Sequence, residues 1–330
     1  MSVQTAAPET GRARRTAVIR CRDGDHTIAL TEREPVAERL IAISRKRSFD
    51  PNVDVDWDAP QDPDVFYMPP QLVSLYETPL WDRMTHRQRV ELSKREVAEI
   101  ASFGIWAELL LMNILLKTAY RFRYDSQHTA YALTEVADEC RHSMMFGRMV
   151  RAFGLRTRRP IPIAYHLGKI AAGAPYLPLQ MFAGTLVVEE FTDSLQRVSM
   201  ADEEIQPLVR QVSRIHVIEE ARHIKYAREE LKRAVAASST ARRRFAAMGV
   251  ARFTSWIPRL VIHPSAYAAV GLDPKEAQRV AAASPHRRAV WAWSMRRCTR
   301  FFDEVGLLDG PARRIWRRAG LLPDEPPQIF

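Results

Sequence analysis

The chain has 330 residues, enough for one large domain or two modest ones with a substantial core. Hydrophobic residues make up 46% and charged residues 27% of the sequence, and this ordinary globular composition excludes a disordered or fibrous protein. The formal net charge is +10, and the excess lies in residues 231–330, which contain 18 Lys and Arg against 7 Asp and Glu. This basic region suits an acidic partner or a polyanion, and a solvated Arg-rich helical face is the simpler alternative.

Signals for membrane insertion and secretion are not expected. The longest strongly apolar stretch, 105–116, is interrupted by Glu108 and Asn113 and is shorter than the roughly 20 residues that a membrane-spanning helix needs. The N-terminal basic residues precede no apolar core, so a secretory signal is not predicted. No CxxC spacing occurs among the three cysteines, Cys21, Cys140 and Cys298. We therefore expect a cytoplasmic protein with reduced thiols and no membrane partner.

The positions of Pro, Gly and capping residues divide the chain into four predicted regions. Residues 1–25 lack a sustained apolar period and are predicted to be a flexible tail. Residues 26–84 are predicted to contain a helix over about 31–47 and then a Pro- and Asp-rich arm, whose Asp spacing lacks the Gly and Glu of an EF-hand. Residues 85–236 are predicted to form a four-helix bundle. Residues 237–330 form a basic helical region packed on it.

The bundle is predicted from its long helical stretches. Thr85 is a suitable N-cap, and few helix breakers follow until Arg121. The other three helices are expected near 127–153, 176–200 and 203–236. In the C-terminal region, shorter helices are expected between the prolines, Pro258, Pro264, Pro274, Pro285 and Pro311. No segment of comparable length alternates like an amphipathic strand, so the predicted class is all-α, a four-helix bundle with additional C-terminal capping helices.

Two pentapeptides share the pattern acid-Glu-x-Arg-His: DECRH at 138–142 and EEARH at 219–223. Each contains Glu-x-x-His, whose i, i+3 spacing places both side chains on one helix face, where they can bind the same metal ion. One such motif is usually a solvated helix face with ion pairs. Two of them within predicted long helices favour a metal site.

Two single glutamates lie in apolar surroundings upstream of the pentapeptides. Glu108 interrupts GIWAELLLMNILL and Glu189 lies in FAGTLVVEEF, so each helix would bury a carboxylate, which is costly without a partner or a metal. Glu139 follows Glu108 by 31 residues, and Glu220 follows Glu189 by 31 residues. The same helix-pair unit is therefore predicted twice.

A Glu on one helix and Glu-x-x-His on the next, repeated, is the ligand set with which ferritin-like bundles bind two metal ions. Mixed oxygen and nitrogen ligands favour iron or manganese, with zinc as a less suitable alternative. His216 precedes Glu220 by four residues and therefore lies on the same face as a third imidazole. The predicted ligands are Glu108, Glu139, His142, Glu189, His216, Glu220 and His223.

Several neighbouring residues are candidates for an outer shell or for an alternative ligand. The ambiguous acids are Glu135, Glu190 and Asp193. Glu189 is preferred to Glu190 because it preserves the repeat and follows Leu186 at helical spacing. Arg141 and Arg222 occupy matching positions in the two pentapeptides and would orient ligands through ion pairs, or else lie exposed.

In the order of these residues the chain resembles the diiron N-oxygenase family typified by the para-aminobenzoate N-oxygenase of aureothin biosynthesis. The likeness covers about residues 70–235. The family pattern is a Glu on a long helix, Glu-x-x-His, a lone Glu, then His-x-x-x-Glu-x-x-His, and all seven positions are filled here. The additional His distinguishes this family from acyl-carrier-protein desaturases, whose DEKRH-type motifs are otherwise similar.

The resemblance implies a monooxygenase that uses two iron ions and O₂ to insert oxygen into a small organic substrate, for arylamines by N-oxygenation. The family enzyme that oxidises aminobenzoate carries an Arg five positions before its first Glu ligand, where this chain has Phe103. We therefore expect Phe103 in the substrate pocket and a substrate less polar than aminobenzoate. An external electron donor, a ferredoxin or a reductase, is also expected, as is a homodimer.

Two other functions fit the same residues. One is a diiron desaturase or hydroxylase of an acyl chain, with the basic C-terminal region receiving an acidic carrier protein. The other is a non-enzymic bundle for metal storage or nucleic-acid binding. Storage units of this type are usually much shorter, and no interleaving of aromatic and basic residues marks a nucleic-acid groove.

Overall fold

The computed structural model describes residues 15–21, 24–323, 327 and 329. Strands β1 (Arg15–Cys21) and β2 (Gly24–Leu30) form an antiparallel hairpin in which Ala17 lies opposite Ile28. The α-helices that follow are α1 (Arg33–Lys46), α2 (Pro79–Arg83), α3 (His86–Arg121), α4 (Gln127–Ala152), α5 (Pro162–Gly173), α6 (Pro178–Ala201), α7 (Pro207–Ala236), α8 (Thr240–Leu260), α9 (Ser265–Ala268), α10 (Pro274–Ala283), α11 (Pro285–Glu304) and α12 (Gly310–Arg318).

The centre of the molecule is a bundle of α3, α4, α6 and α7, in which α3 packs against α4 and α6 packs against α7. Thr85 begins α3 with a capping box: its side chain accepts a hydrogen bond from the Gln88 N–H, and the Gln88 side chain accepts one from the Thr85 N–H. Ser126 caps α4 in the simpler way. The predicted all-α, ferritin-like class is confirmed, and the four predicted bundle helices are present within a few residues of their expected ends.

The N-terminal hairpin corrects part of the predicted tail. Within the described residues of 1–25, positions 15–21 and 24–25 are paired strand and not flexible chain. Ile19 and Ile28 are buried, and the Arg243 side chain donates a 2.8 Å hydrogen bond to the Arg20 carbonyl. Each strand buries so few apolar residues that its alternation is too short to stand out in the sequence.

The positions of the prolines in α5 and in the C-terminal helices can be compared with the predicted helix breaks. Residues 162–173 were expected to lie in a break, but Pro162 is the first residue of α5, a position where the missing N–H costs nothing. Pro258 lies inside the last turn of α8, so the helix break predicted there is wrong. Pro274, Pro285 and Pro311 lie in the first turn of a helix, as expected for residues that separate helices.

Helix α3 is long and apolar enough to cross a membrane by composition, with a mean hydropathy of 1.6 over 18 residues. However, 44% of that window is buried inside the protein. The same helix buries Glu96 and Glu108 and packs along α4. We therefore describe α3 as a core helix of the bundle.

Candidate dimetal site

The seven predicted ligands meet in the middle of the bundle. Helix α3 contributes Glu108, α4 contributes Glu139 and His142, α6 contributes Glu189, and α7 contributes the rest. None of the seven is more than 2% exposed. The 31-residue repeat brings these side chains together because each helix pair presents its acids and imidazoles at the same height of the bundle.

Glu139 lies between two imidazoles. Its Oε2 is 3.0 Å from His142 Nδ1, and its Oε1 is 2.7 Å from His223 Nδ1. Glu220 Oε2 is 3.2 Å from the same His223 nitrogen. The ligand atoms of these four residues lie within 4.8 Å of one another. Glu139 is therefore central to this group, and the four residues together would hold a metal ion.

His216 lies beside this group. Its Nε2 is 3.4 Å from Glu108 Oε1 and 3.7 Å from Glu220 Oε2. Ligand atoms of Glu108, His142 and His216 form a second group within 4.8 Å. Because the two groups share His142, the side chains suit two adjacent metal positions.

The electrostatics of the seven residues favour bound cations. Burial, and then the neighbouring carboxylates, raise the pKa of Glu108 and of Glu189 well above the ordinary value. Burial opposes charge on Glu139 as well, but His223 and His142 outweigh it and hold its pKa well below the ordinary value. Among the described residues, Glu108 Oε2 and Glu220 Oε1 are buried without a hydrogen-bond partner. Such atoms fit metal ligands, since an unpaired buried oxygen is costly.

The imidazoles of His142 and His223 each contact a carboxylate of the opposite helix on the side that faces away from the cluster. Glu219 Oε2 is 2.9 Å from His142 Nε2, and Asp138 Oδ2 is 3.2 Å from His223 Nε2. These carboxylates turn both Nδ1 atoms toward the cluster, which is how outer residues orient metal-binding histidines. Sequence reasoning missed them, although the signal was present: each is the first acid of its pentapeptide.

The two arginines of the pentapeptides link these outer carboxylates. Arg222 is buried and binds Asp138 at 3.0 Å, with Glu219 at 3.6 Å. Arg141 contacts Asp138 and lies 3.9 Å from Glu219. The N-terminal arm closes over the network, where the Phe49 N–H donates a 3.2 Å hydrogen bond to Glu219.

Two of the ambiguous acids lie outside the cluster. Glu190 forms ion pairs with Arg228 and Arg297, and Asp193 pairs with Arg297 and with Arg197. The reason is rotational: one residue turns the side chain by about 100° around α6, so Glu190 faces away from the site that Glu189 faces.

Glu135 lies one turn before Glu139 on α4 and is buried. Its Oε2 has no hydrogen-bond partner in the described part of the chain. Burial is the main cause that raises its pKa well above the ordinary value; Glu139 and Glu220 add to this, and His223 opposes it. It is thus a further acid beside the cluster.

The expectation for Phe103 is wrong. Phe103 is buried against Trp106, with ring centroids 5.6 Å apart, and does not line either cavity at the cluster. Five residues before Glu108 correspond to a rotation of about 140° around the helix, away from the site. Gly104, four residues before Glu108, lines the cavity instead.

Two cavities meet the cluster at Glu189. A small one of about 50 Å³ also borders Glu108 and His216. A large one of about 600 Å³ lies between α3, α5, α6 and α8. The site therefore has a confined space on one side and a roomy, mainly apolar space on the other.

Residues 30–306 match the family p-aminobenzoate N-oxygenase AurF. The chain belongs to this family. Membership confirms the resemblance inferred from the order of the ligands. It also identifies the protein as an oxidoreductase of the dimetal oxygenase type.

Individual similar proteins and solved structures give less information about function. The uncharacterised proteins MT0908 and Rv0885 of Mycobacterium tuberculosis are each 28% identical to this protein over 294 residues, 85% of this chain and 86% of theirs. Among solved structures, two variants of an R2-like ligand-binding oxidase with a reconstituted Mn/Fe cofactor give TM-scores of 0.51 and 0.50. They are 13% and 14% identical and cover 83% of this chain and 94% of theirs. This likeness supports the fold.

Proposed function

We propose that this protein is an O₂-dependent non-haem diiron monooxygenase acting on a small organic substrate. The carrying observation is the buried set of four glutamates and three histidines on four helices, whose ligand atoms form two close groups and include carboxylate oxygens without a hydrogen-bond partner among the described residues. The proposed ligands are Glu108, Glu139, His142, Glu189, His216, Glu220 and His223. Mixed oxygen and nitrogen ligation suits iron, and manganese is the alternative metal.

The protein's part in this function is positioning and exclusion of water. When bound, the metal pair supplies the redox chemistry that O₂ activation requires. Glu219 and Asp138 accept hydrogen bonds from the Nε2–H groups of His142 and His223 and so keep both Nδ1 atoms directed inward. Glu189 faces the apolar cavity, where a substrate carbon or nitrogen would lie next to the ions.

The stoichiometry of a monooxygenase reaction shows which other reactants the protein needs. One oxygen atom of O₂ enters the substrate and the other leaves as water, which consumes two electrons and two protons. We propose a cytoplasmic ferredoxin or reductase as the donor, with a homodimer as the assembly. The exposed basic side chains of α11, Arg296 and Arg300, offer an acidic donor or carrier a docking face, whereas Arg297 is engaged internally with Glu190 and Asp193.

A second candidate is hydroxylation or desaturation of an acyl chain, favoured by the apolar walls of the large cavity. N-oxygenation of an amine needs a nitrogen at the same place. Product mass separates the reactions: a gain of one oxygen marks hydroxylation or N-oxidation, and a loss of two hydrogens marks desaturation.

The test begins with metal analysis of the purified protein. We expect two irons per chain, loss of metal in His216→Ala and Glu220→Ala, and retention in the control His166→Ala, an exposed residue of α5. The reduced, iron-loaded protein should then consume O₂ and give a transient absorption change. Protein that binds two irons but reacts with O₂ no faster than free iron would overturn the oxygenase proposal and favour storage.

A further inference from the structure

We propose that the large cavity is the binding site for an elongated apolar chain that carries an anionic group at its outer end. This deepens the proposed function, because Glu189 at the inner end of the cavity is one of the proposed metal ligands. The anionic group would lie at the mouth beside Arg252, and the apolar end would approach the cluster.

The cavity has the shape of a channel along α6. Its α6 lining begins at Leu177, which immediately precedes the helix, and continues at every turn to Glu189. Twelve residues at 1.5 Å per residue correspond to about 18 Å along the helix axis. With a volume of about 600 Å³, the space is long relative to its width. A compact ring would leave most of it empty.

The walls select against polar substrates. Most lining residues are aliphatic or aromatic, including Leu110, Ile114 and Val250. The polar or charged lining residues are Asn113, Gln180, Thr185, Glu189 and Arg252. Apolar walls of this extent favour a ligand that leaves water with most of its surface.

Charge sets the direction of the ligand. The inner end, where Glu189 lies, has no Lys or Arg among the described lining residues. Arg252 is the only cationic residue among the described residues of the lining; it is exposed and forms no ion pair with the rest of the described chain. A carboxylate or phosphate therefore gains an ion pair with Arg252 at the mouth that no Lys or Arg of the described inner wall offers.

The mouth is rimmed by exposed apolar side chains. Phe245 and Trp256 of α8 are 70% and 44% exposed, and Leu167 of α5 is 51% exposed. All three also line the cavity. Exposed apolar groups that continue into an apolar interior give a lipophilic chain an entry route.

Two glycines keep the channel open and provide the test. Gly184 on α6 and Gly249 on α8 line the cavity, and a Cβ built at either position meets nothing within 4 Å. A side chain at either position would therefore start in open space, and a larger one would occupy part of the channel. Gly173 lies at the exposed end of α5 and does not line the cavity. A Cβ built there also meets nothing within 4 Å.

The experiment measures binding of straight-chain fatty acids to the metal-loaded protein without O₂, by calorimetry. Affinity should rise by roughly fourfold for each methylene group that enters the cavity and then level off once the chain exceeds its length. Gly184→Leu and Gly249→Leu should each weaken dodecanoic acid binding by about tenfold or more. The matched control Gly173→Leu should bind as the unmodified protein does.

The outer anionic group has its own test. Arg252→Ala should weaken dodecanoic acid by about threefold to fivefold, as expected for one solvent-exposed ion pair, and leave dodecanol unchanged. Metal content and the thermal midpoint are measured for every variant, so that misfolding is separated from loss of binding.

Several outcomes would overturn the inference: affinity that is independent of chain length, unchanged binding in both leucine variants, or tighter binding of aminobenzoate than of any fatty acid. Because O₂ is absent, these results do not depend on catalysis. Chain binding with the expected length dependence, followed by no O₂ reaction, would leave this inference standing and reject the proposed function instead.

Discussion

At the scale of single residues, the site depends on two carboxylates that are not among the proposed ligands. Asp138 and Glu219 cross between α4 and α7, and each fixes the imidazole of the opposite helix. We predict that Asp138→Asn and Glu219→Gln lower iron affinity by about 10- to 100-fold while leaving every ligand in place. Competition with a chromophoric chelator measures the change.

The control for this prediction is Glu190→Gln. Glu190 is as buried as the ligands and adjacent to Glu189, but its partners are Arg228 and Arg297. Iron affinity should therefore be retained in this variant. Equal losses in all three variants would mean that the effect is general destabilisation and not orientation of the imidazoles.

A second residue-scale prediction concerns Glu96, which lies away from the cluster. It accepts hydrogen bonds from the backbone N–H of Ser74, at 2.9 Å, and from the Ser74 hydroxyl, which also contacts the Tyr267 hydroxyl. Burial raises the pKa of Glu96 to about 7, although the Ser74 hydrogen bonds and Arg287 act to lower it. A pKa raised on folding stabilises the protein fully below the unfolded value of about 4.3 and loses that contribution as pH rises through about 7.

Glu96→Gln should remove this dependence, because the amide stays neutral and keeps both contacts to Ser74. The free energy of unfolding of the variant, relative to the unmodified protein, should rise between about pH 5 and about pH 8 by as much as about 3 kcal/mol. Urea unfolding at the two pH values measures it. Parallel pH profiles for the two proteins would show that Glu96 is ionised throughout.

At the scale of elements, α5 is held against α3 by a close approach at one glycine. A Cβ at Gly168 would lie 2.9 Å from the Trp106 ring, which forms part of the wall of the large cavity. We predict that Gly168→Ala displaces the indole or the helix at a cost of about 1–3 kcal/mol. Thermal unfolding measures the cost, and Gly173→Ala, with open space at the same helix, should show none. Equal midpoints for both variants would contradict the prediction.

The long helices and the ligands were predictable because they follow strong, local rules. Thr85 and the apolar period define α3, and the 31-residue spacing pairs the acids without any structure. The missed features depend on tertiary packing. Strands β1 and β2 form a hairpin that packs on α7, and α5 forms where Pro162 begins it. The substrate-pocket expectation for Phe103 was wrong because a position of the family pattern was transferred to this chain without considering the rotation of the helix over five residues.

At the scale of the whole molecule, two groups of buried acids differ in the cations beside them, and Glu96, which is hydrogen-bonded to Ser74, belongs to neither group. The outer group has cations from the chain itself: Glu230 pairs with Arg33 at 3.0 Å, and Glu229 pairs with Lys225 at 2.9 Å. In the described part of the chain, no Lys or Arg forms an ion pair with the central Glu108, Glu189 or Glu220. The fold thus places its Lys and Arg outside the cluster and favours cations from solution at its centre.

This division predicts that metal stabilises the entire bundle, because the central acids come from all four helices. Ligand that binds only the folded state at 100 times its dissociation constant adds about 2.7 kcal/mol, or roughly 4 °C in the unfolding midpoint for a chain of this size. We expect chelation to lower the midpoint measured by calorimetry, and added iron or manganese to restore it in a concentration-dependent way. Glu220→Ala should abolish the metal dependence, whereas Glu190→Gln should keep it. A midpoint that is the same with and without metal would mean that the carboxylates are accommodated by protonation alone, and the site would then have no structural need for ions.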